Sequence, residues 1–318
     1  MTTKLKDNTF VEPAGRQAED GVIRTLLYFD VFQYPLTLDE VMKFHPQRHK
    51  KEDIRNAISY LRNKLIVFKH TNFYSLHPDT IFVEKRKTGN ELAKKRLQTA
   101  KKFSWLISKF PFVRAIMLSG SLSKDYMDSD SDIDYFIITK PGRLWLTRGM
   151  LALFKRVFLL NSHKFFCTNY LIDSESLEIE EKNIYTAMET ATLIPIYGKD
   201  LCERFVTKNQ WTKQYFPNVE LHRTAFIPEK VSPVKKFFER IFSGTMGEKL
   251  DLLFMRLAIQ RWKRKFSNLF TAEEFELAFK SKRNVSKNHP RFFQKRIMQL
   301  FQEKIETFEV LNDMKLST

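Results

Sequence analysis

Leu118-Ser-Gly-Ser-Leu-Ser-Lys-Asp-Tyr-Met-Asp-Ser-Asp-Ser-Asp-Ile-Asp-Tyr-Phe-Ile-Ile138 is the stretch on which the reading of this chain turns. The apolar run Val113 to Leu118 leading into it has strand character, and Gly120-Ser121 turns the chain into a brief helix. A Ser/Asp-rich loop follows, then a second strand from Ile133 to Thr139. Asp132 and Asp134 lie two apart at the start of that strand. A period of two places both carboxylates on one face and Ile133 on the other. Two carboxylates about 4 Å apart repel by roughly 4 kcal/mol at an effective dielectric near ~20. Left alone, one of them is expected to take up a proton. A divalent cation removes the conflict, since Mg²⁺ prefers hard oxygens, keeps several waters and is shared with substrate phosphates. Upstream, Gly120 allows close backbone approach, and a helix N-terminus with the Ser121 hydroxyl offers donors to an anion. Phosphate and metal are expected to meet between these two elements.

The same segment resembles the signature of the DNA polymerase β-like nucleotidyltransferase superfamily: an apolar residue, Gly-Ser, about ten residues, then Asp-apolar-Asp-apolar. Ten residues separate Ser121 from Asp132. The likeness covers about residues 112 to 200, with the sharp motif in 21 of them. It implies that Gly120 and Ser121 hold a nucleoside triphosphate, with ATP the expected donor, and that Asp132 and Asp134 bind Mg²⁺ or Mn²⁺. The implied reaction is transfer of a nucleoside monophosphate to a hydroxyl acceptor that the sequence does not name. Active members usually carry a third carboxylate on the strand after the intervening helix. That strand reads as Phe165 to Ile172. It holds Asn169 where an acid is expected, with Asp173 just beyond. Asp173 serves as the third catalytic acid if the strand extends further, whereas Glu178 and Glu180 are poorer choices. Enzymatic activity hangs on that acid.

Working outward, 318 residues suggest two or three compact units, and 43% hydrophobic residues with 30 Phe supply ample core. Residues 1–19 read as a flexible tail. Over 20–78, three helices and a small hairpin (Leu65 to Phe68, Phe73 to Leu76) resemble a winged helix-turn-helix domain. Thr37-Leu-Asp-Glu40 spells a capping box. A connecting helix is expected over 79–111, the nucleotidyltransferase-type core over 112–200, and a helical basic region over 201–318, with a polar break at Ser281 to Pro290. The expected fold class is therefore multidomain α+β. A mixed-sheet core of nucleotidyltransferase type is flanked by an N-terminal winged helix and a helical C-terminal region.

The net charge of +17 favours polyanionic partners. Nucleic acid is a candidate through the winged helix, whose third helix carries Lys50, Lys51, Arg55, Arg62 and Lys64, or through Arg261-Trp-Lys-Arg-Lys-Phe266 in the C-terminal region. Burial of Trp262 and Phe266 is the simpler account of the latter run. Cys167 and Cys202 have no metal-ligand spacing, and a cytoplasmic location fits two isolated thiols. The most apolar stretch, Leu144 to Leu160, is too short and too charged to span a membrane. Asp128, Asp130, Asp132 and Asp134 alternate, but no frame supplies the Gly and Glu of an EF-hand. Lys124 and Arg143 flank the site, and a solvated basic face accounts for them more simply than phosphate binding. His163, His222 and His289 lack metal spacing. Two other functions stay open: a DNA-binding regulator with an inert, nucleotide-sensing core, and an interaction module docking a partner protein through the winged helix. Oligomeric state is not legible.

Overall fold

A computed structural model describes residues 14–160, 162, 164–220, 225–230, 232–288 and 293–316. They form a mixed α/β structure with two sheets, which divides into two compact units. The first takes Met1–Glu84, Gln214–Asn218 and Gln299–Thr318. Helix α1 (Ala14–Asp30) starts inside the stretch expected to be a loose tail. Strand β1 (Leu36–Thr37) leads into α2 (Leu38–Phe44), whose start carries the expected capping box. The Glu40 amide donates to Thr37 Oγ1 at 3.3 Å, and the Thr37 amide donates to Glu40 Oε2 at 2.8 Å. Helix α3 (Lys51–Asn63) buries Ile54, Ala57, Ile58 and Leu61 and exposes Lys51, Arg55 and Arg62. The hairpin strands are β2 (Phe68–His70) and β3 (Phe73–Ser75), with sheet order β1-β3-β2. Leu65 to Val67 do not join β2 as expected. Leu65 sits at φ 56, and the amides of Ile66 and Val67 both donate to Leu61 O, finishing α3 instead.

The second unit takes Lys85–Lys213 and Val219–Met298. Its elements are α4 (Ile81–Ser108), β4 (Val113–Ser119), β5 (Asp134–Thr139), α5 (Leu144–Phe158), β6 (Cys167–Asp173), α6 (Ile184–Ala191), β7 (Ile194–Tyr197), α7 (Lys199–Lys208), α8 (Pro233–Ile241), α9 (Thr245–Phe266), α10 (Ala272–Ala278), β8 (Ser281–Lys282) and β9 (Val285–Lys287); α11 (Phe293–Asn312) leaves the unit after Met298. The sheet runs β7-β4-β5-β6-β9-β8, with β5 and β6 parallel and every other pair antiparallel. Both faces of its centre are covered, so β4 and β5 are near-continuous apolar runs: Ala115 to Leu118 and Tyr135 to Ile138 are all buried. Trp145 on α5 is fully buried, donates from Nε1 to Lys282 O at 3.0 Å, and packs 5.9 Å from the buried Trp262.

Two expectations are corrected. Ser281 to Lys287 is not a mere polar break: it forms a hairpin that extends the sheet beyond β6. Arg143 is not on a solvated basic face. It is buried, donating from Nε to Phe242 O at 2.7 Å and from Nη2 to the Ser243 and Gly244 carbonyls. A cation there closes the carbonyl end of α8. No helix among the described residues is long and apolar enough to cross a membrane.

Gly198 joins β7 to α7 at φ 78, where a Cβ would collide with Arg114 O and Ala115 on the central strand β4. Gly198→Ala is expected to destabilise the protein by about 2–4 kcal/mol through left-handed strain plus backbone overlap. Urea unfolding followed by near-UV circular dichroism measures this. An unchanged midpoint would show that the β4–β7 packing tolerates the shift.

Candidate nucleotide and metal site

Strand β5 begins at Asp134, opposite Ser119 on β4 and in parallel register with Cys167 on β6. That register sets the Gly120 turn directly against Asp134. Gly120 adopts φ 68, ψ −152, a backbone region essentially reserved for glycine, and a Cβ there would strike Asp134 Oδ2. Ser121 opens a 3₁₀ turn of four residues, Ser121–Lys124, where a helix was expected. Donors come from a single turn, so the macrodipole contributes little. Within the turn, Ser123 Oγ donates to Gly120 O at 2.8 Å. Lys124 Nζ donates to the same carbonyl at 3.1 Å and pairs with Glu189 on α6 at 2.8 Å. Lys124 is thus tied to an acid rather than lying on a free basic face.

Asp132 is half-buried in the loop before β5, not in the strand. The expected strand alternation therefore does not place it; it nears Asp134 by chain adjacency. Its charge still acts there. Burial first, and Asp132 second, push the Asp134 carboxyl up to about 7, and Glu189 adds to the rise. Cys167, the next largest effect, and Lys124, the smallest, oppose the rise. One carboxyl of the pair thus holds its proton far more tightly than usual, the cost that close like charges impose.

The strand after α5 explains the third position. Asn169 Nδ2 donates to Asp134 Oδ1 at 2.6 Å, and Asn169 Oδ1 accepts from the Cys167 thiol at 3.0 Å. Burial, with Asp134 as the next cause, raises the thiol above its ordinary range and keeps it a donor. Asp173 lies elsewhere. It pairs with Thr139, five residues along β5 from Asp134 and so roughly 17 Å away at ~3.3 Å per residue. Its Oδ1 accepts the amides of Glu175 and Ser176, both at 3.0 Å, which closes the turn after β6. The strand does extend to Asp173, but it is the opposite end of β6, at Cys167 and Asn169, that lies against the pair. Glu178 pairs with Lys182, and Glu180 with Lys280 and Lys282. The structure therefore gathers Gly120, Ser121, Asp132, Asp134 and Asn169, and leaves Asp173 out. Asn169 was visible in the sequence as an amide where the resemblance led an acid to be expected. Its bond to Asp134 was not, since it depends on the β5–β6 register.

Among the described residues no group of three or more His, Cys, Asp or Glu could hold a metal ion. Asp132 and Asp134 supply two carboxylates. This set suits a hard cation that draws its remaining oxygens from water and phosphate, not one caged by protein alone. His163, His222 and His289 lie outside the described residues. Asp128 accepts from Tyr126 Oη at 2.6 Å, and Asp130 is exposed in the loop. The chain matches no protein-family description, no curated protein sequence and no solved structure.

The raised Asp134 fixes a sign. A carboxyl with a folded-state value above its unfolded 3.8 stabilises the fold fully below that value, and the contribution fades as pH rises through about 7. In chelator-treated protein, Asp134→Asn is expected to match wild type near pH 4 and to exceed it at pH 8 by on the order of 2 kcal/mol. Mg²⁺ is expected to shrink that gap by stabilising wild type alone. Denaturant melts at the two pH values decide it, and a variant weaker than wild type at pH 8 refutes the assigned strain.

Proposed function

We propose that the second unit is a nucleotidyltransferase-type core that binds a divalent cation with a nucleoside triphosphate, ATP being the expected donor, and passes a nucleoside monophosphate to a hydroxyl. The observation that carries this reading is the Gly120 turn pressed against Asp134 by the β4–β5 register. Asp132 and Asp134 would hold Mg²⁺ or Mn²⁺, which when bound neutralises phosphate charge. Gly120 and Ser121 receive the phosphates at close backbone approach. In the reaction the acceptor oxygen bonds to the α-phosphorus, the bridging α–β P–O bond breaks, pyrophosphate departs and the hydroxyl proton passes to solvent water. Positioning and charge stabilisation do most of the work in such transfers.

Asn169 supports a second reading, in which the core senses a nucleotide and turns over slowly or not at all. An amide cannot take the acceptor's proton, and the nearest acid on β6 is at the wrong end of the strand. In that reading the first unit is a winged helix whose α3 presents exposed Arg55, Asn56, Ser59 and Arg62 to a duplex. The order α1-β1-α2-α3-β2-β3 with a β1-β3-β2 sheet supports a winged helix. Cytoplasmic location is part of the proposal.

Pyrophosphate release from ATP with Mg²⁺, across a panel of hydroxyl acceptors, tests both readings. Wild type is expected to bind ATP–Mg²⁺ and turn it over slowly, Asp132→Ala/Asp134→Ala to lose binding, and Asn169→Asp to raise turnover at least ~10-fold, the scale of a proton-transfer group. Equal release by wild type and the double alanine variant refutes the site. Tight binding without release in wild type and Asn169→Asp alike, with salt-sensitive duplex binding, favours the sensor.

A further inference from the structure

Beside Asn169 the second unit holds a cavity of ≈ 60 Å³, lined by Arg148, Lys155, Cys167, Thr168, Asn169 and Asn288. Arg148 and Lys155 stand seven residues apart on α5, two turns along one face. Arg148 is fixed in place: Nη1 donates to Thr168 O at 3.1 Å, and the guanidinium lies 5.0 Å over the Trp262 ring. Asn288 is held by its backbone, whose amide donates to Asn169 O at 2.9 Å. Its side-chain Oδ1 is buried and has no hydrogen-bond partner among the described residues. The lining combines two cations and the side chain that contacts Asp134.

We propose that this cavity is the acceptor subsite, and that it takes a small hydroxyl compound bearing an anionic group, a phosphate or a carboxylate. The inference rests on the nucleotidyltransferase reading and names the acceptor class that the sequence leaves open. Arg148 and Lys155 receive the anion. Asn169, bonded to Asp134 from the same wall, places that ligand one side chain from the carboxylate pair. At ~10–15 Å³ of such volume per water, the cavity admits about four to six water-sized groups, enough for a phosphate or carboxylate and its neighbouring carbon. The exposed Ala152 also lines the cavity, giving the rest of the ligand a way out.

The test is calorimetry on the full chain with glycerol 3-phosphate, glycerate, glycerol and inorganic phosphate, alone and with a saturating non-hydrolysable ATP analogue and Mg²⁺. Wild type is expected to bind glycerol 3-phosphate or glycerate at least ~10-fold more tightly than glycerol, and the stronger of the two identifies the anion. Lys155→Met is expected to weaken that binding about tenfold while leaving the nucleotide analogue unaffected. Melting curves for this variant separate loss of the ligand from loss of the fold. Equal affinity for glycerol and the anionic compounds overturns the proposal, as does unchanged binding in Lys155→Met or competition with the nucleotide analogue. If the analogue itself fails to bind wild type, the nucleotidyltransferase reading falls. Lys155-dependent anion binding in that case leaves an anion site and removes its role as acceptor subsite.

Discussion

The antiparallel register that sets Ser119 across from Asp134 is the constraint on which the candidate site depends. It brings a glycine-only turn and a carboxylate together from segments joined by a polar loop. It holds because β4 and β5 are buried along most of their length, so a slip of one residue would exchange the side chains fitted to the two covered faces. The hydrophobic pattern that secures the sheet thus also aims the polar residues at its end. The absence of a side chain at Gly120 is as much a part of the site as the presence of Asp134.

Much of this was legible locally. The strands around Gly120 and Asp134, helix α3 with its buried stripe, and the Thr37–Glu40 cap follow from periodicity and spacing, because the forces that make them act within a few residues. What was not legible depends on pairing between distant segments. The placement of Asp173 needed the parallel β5–β6 register, which a count along the chain does not supply. Asp132 was expected in the strand, but ladder bonding starts only at Asp134. Arg143 looked like surface charge, yet its partners are carbonyls about a hundred residues away. The β8–β9 hairpin was hidden because edge strands so short carry no alternation, with Val285 their one apolar residue.

Asn169 draws the chemistry and the geometry together. By donating to Asp134 it stabilises the ionised form of a carboxyl that burial and Asp132 otherwise drive towards the neutral state. An acid in its place would add a third negative charge to the pair. The amide therefore relaxes the metal-free site and at the same time removes a group that could accept a proton. Under the proposed reading, the amide eases folding of the site without a cation and leaves the transfer without a proton acceptor at that position.

The β8–β9 hairpin has a consequence for how the chain is made. Tyr170 pairs with Lys287, so the flank of β6 lacks its neighbour until synthesis has passed the last of these strands. For more than a hundred residues of elongation the nascent sheet has an open edge beside its most polar corner. An unpaired edge is a template for stray strands. Lys280, Lys282 and Lys287 arrive with the closing hairpin, and Lys280 and Lys282 clamp Glu180, just beyond β6. Completion of the sheet is thereby timed by the C-terminal third of the polypeptide, well after the carboxylate motif has left the ribosome.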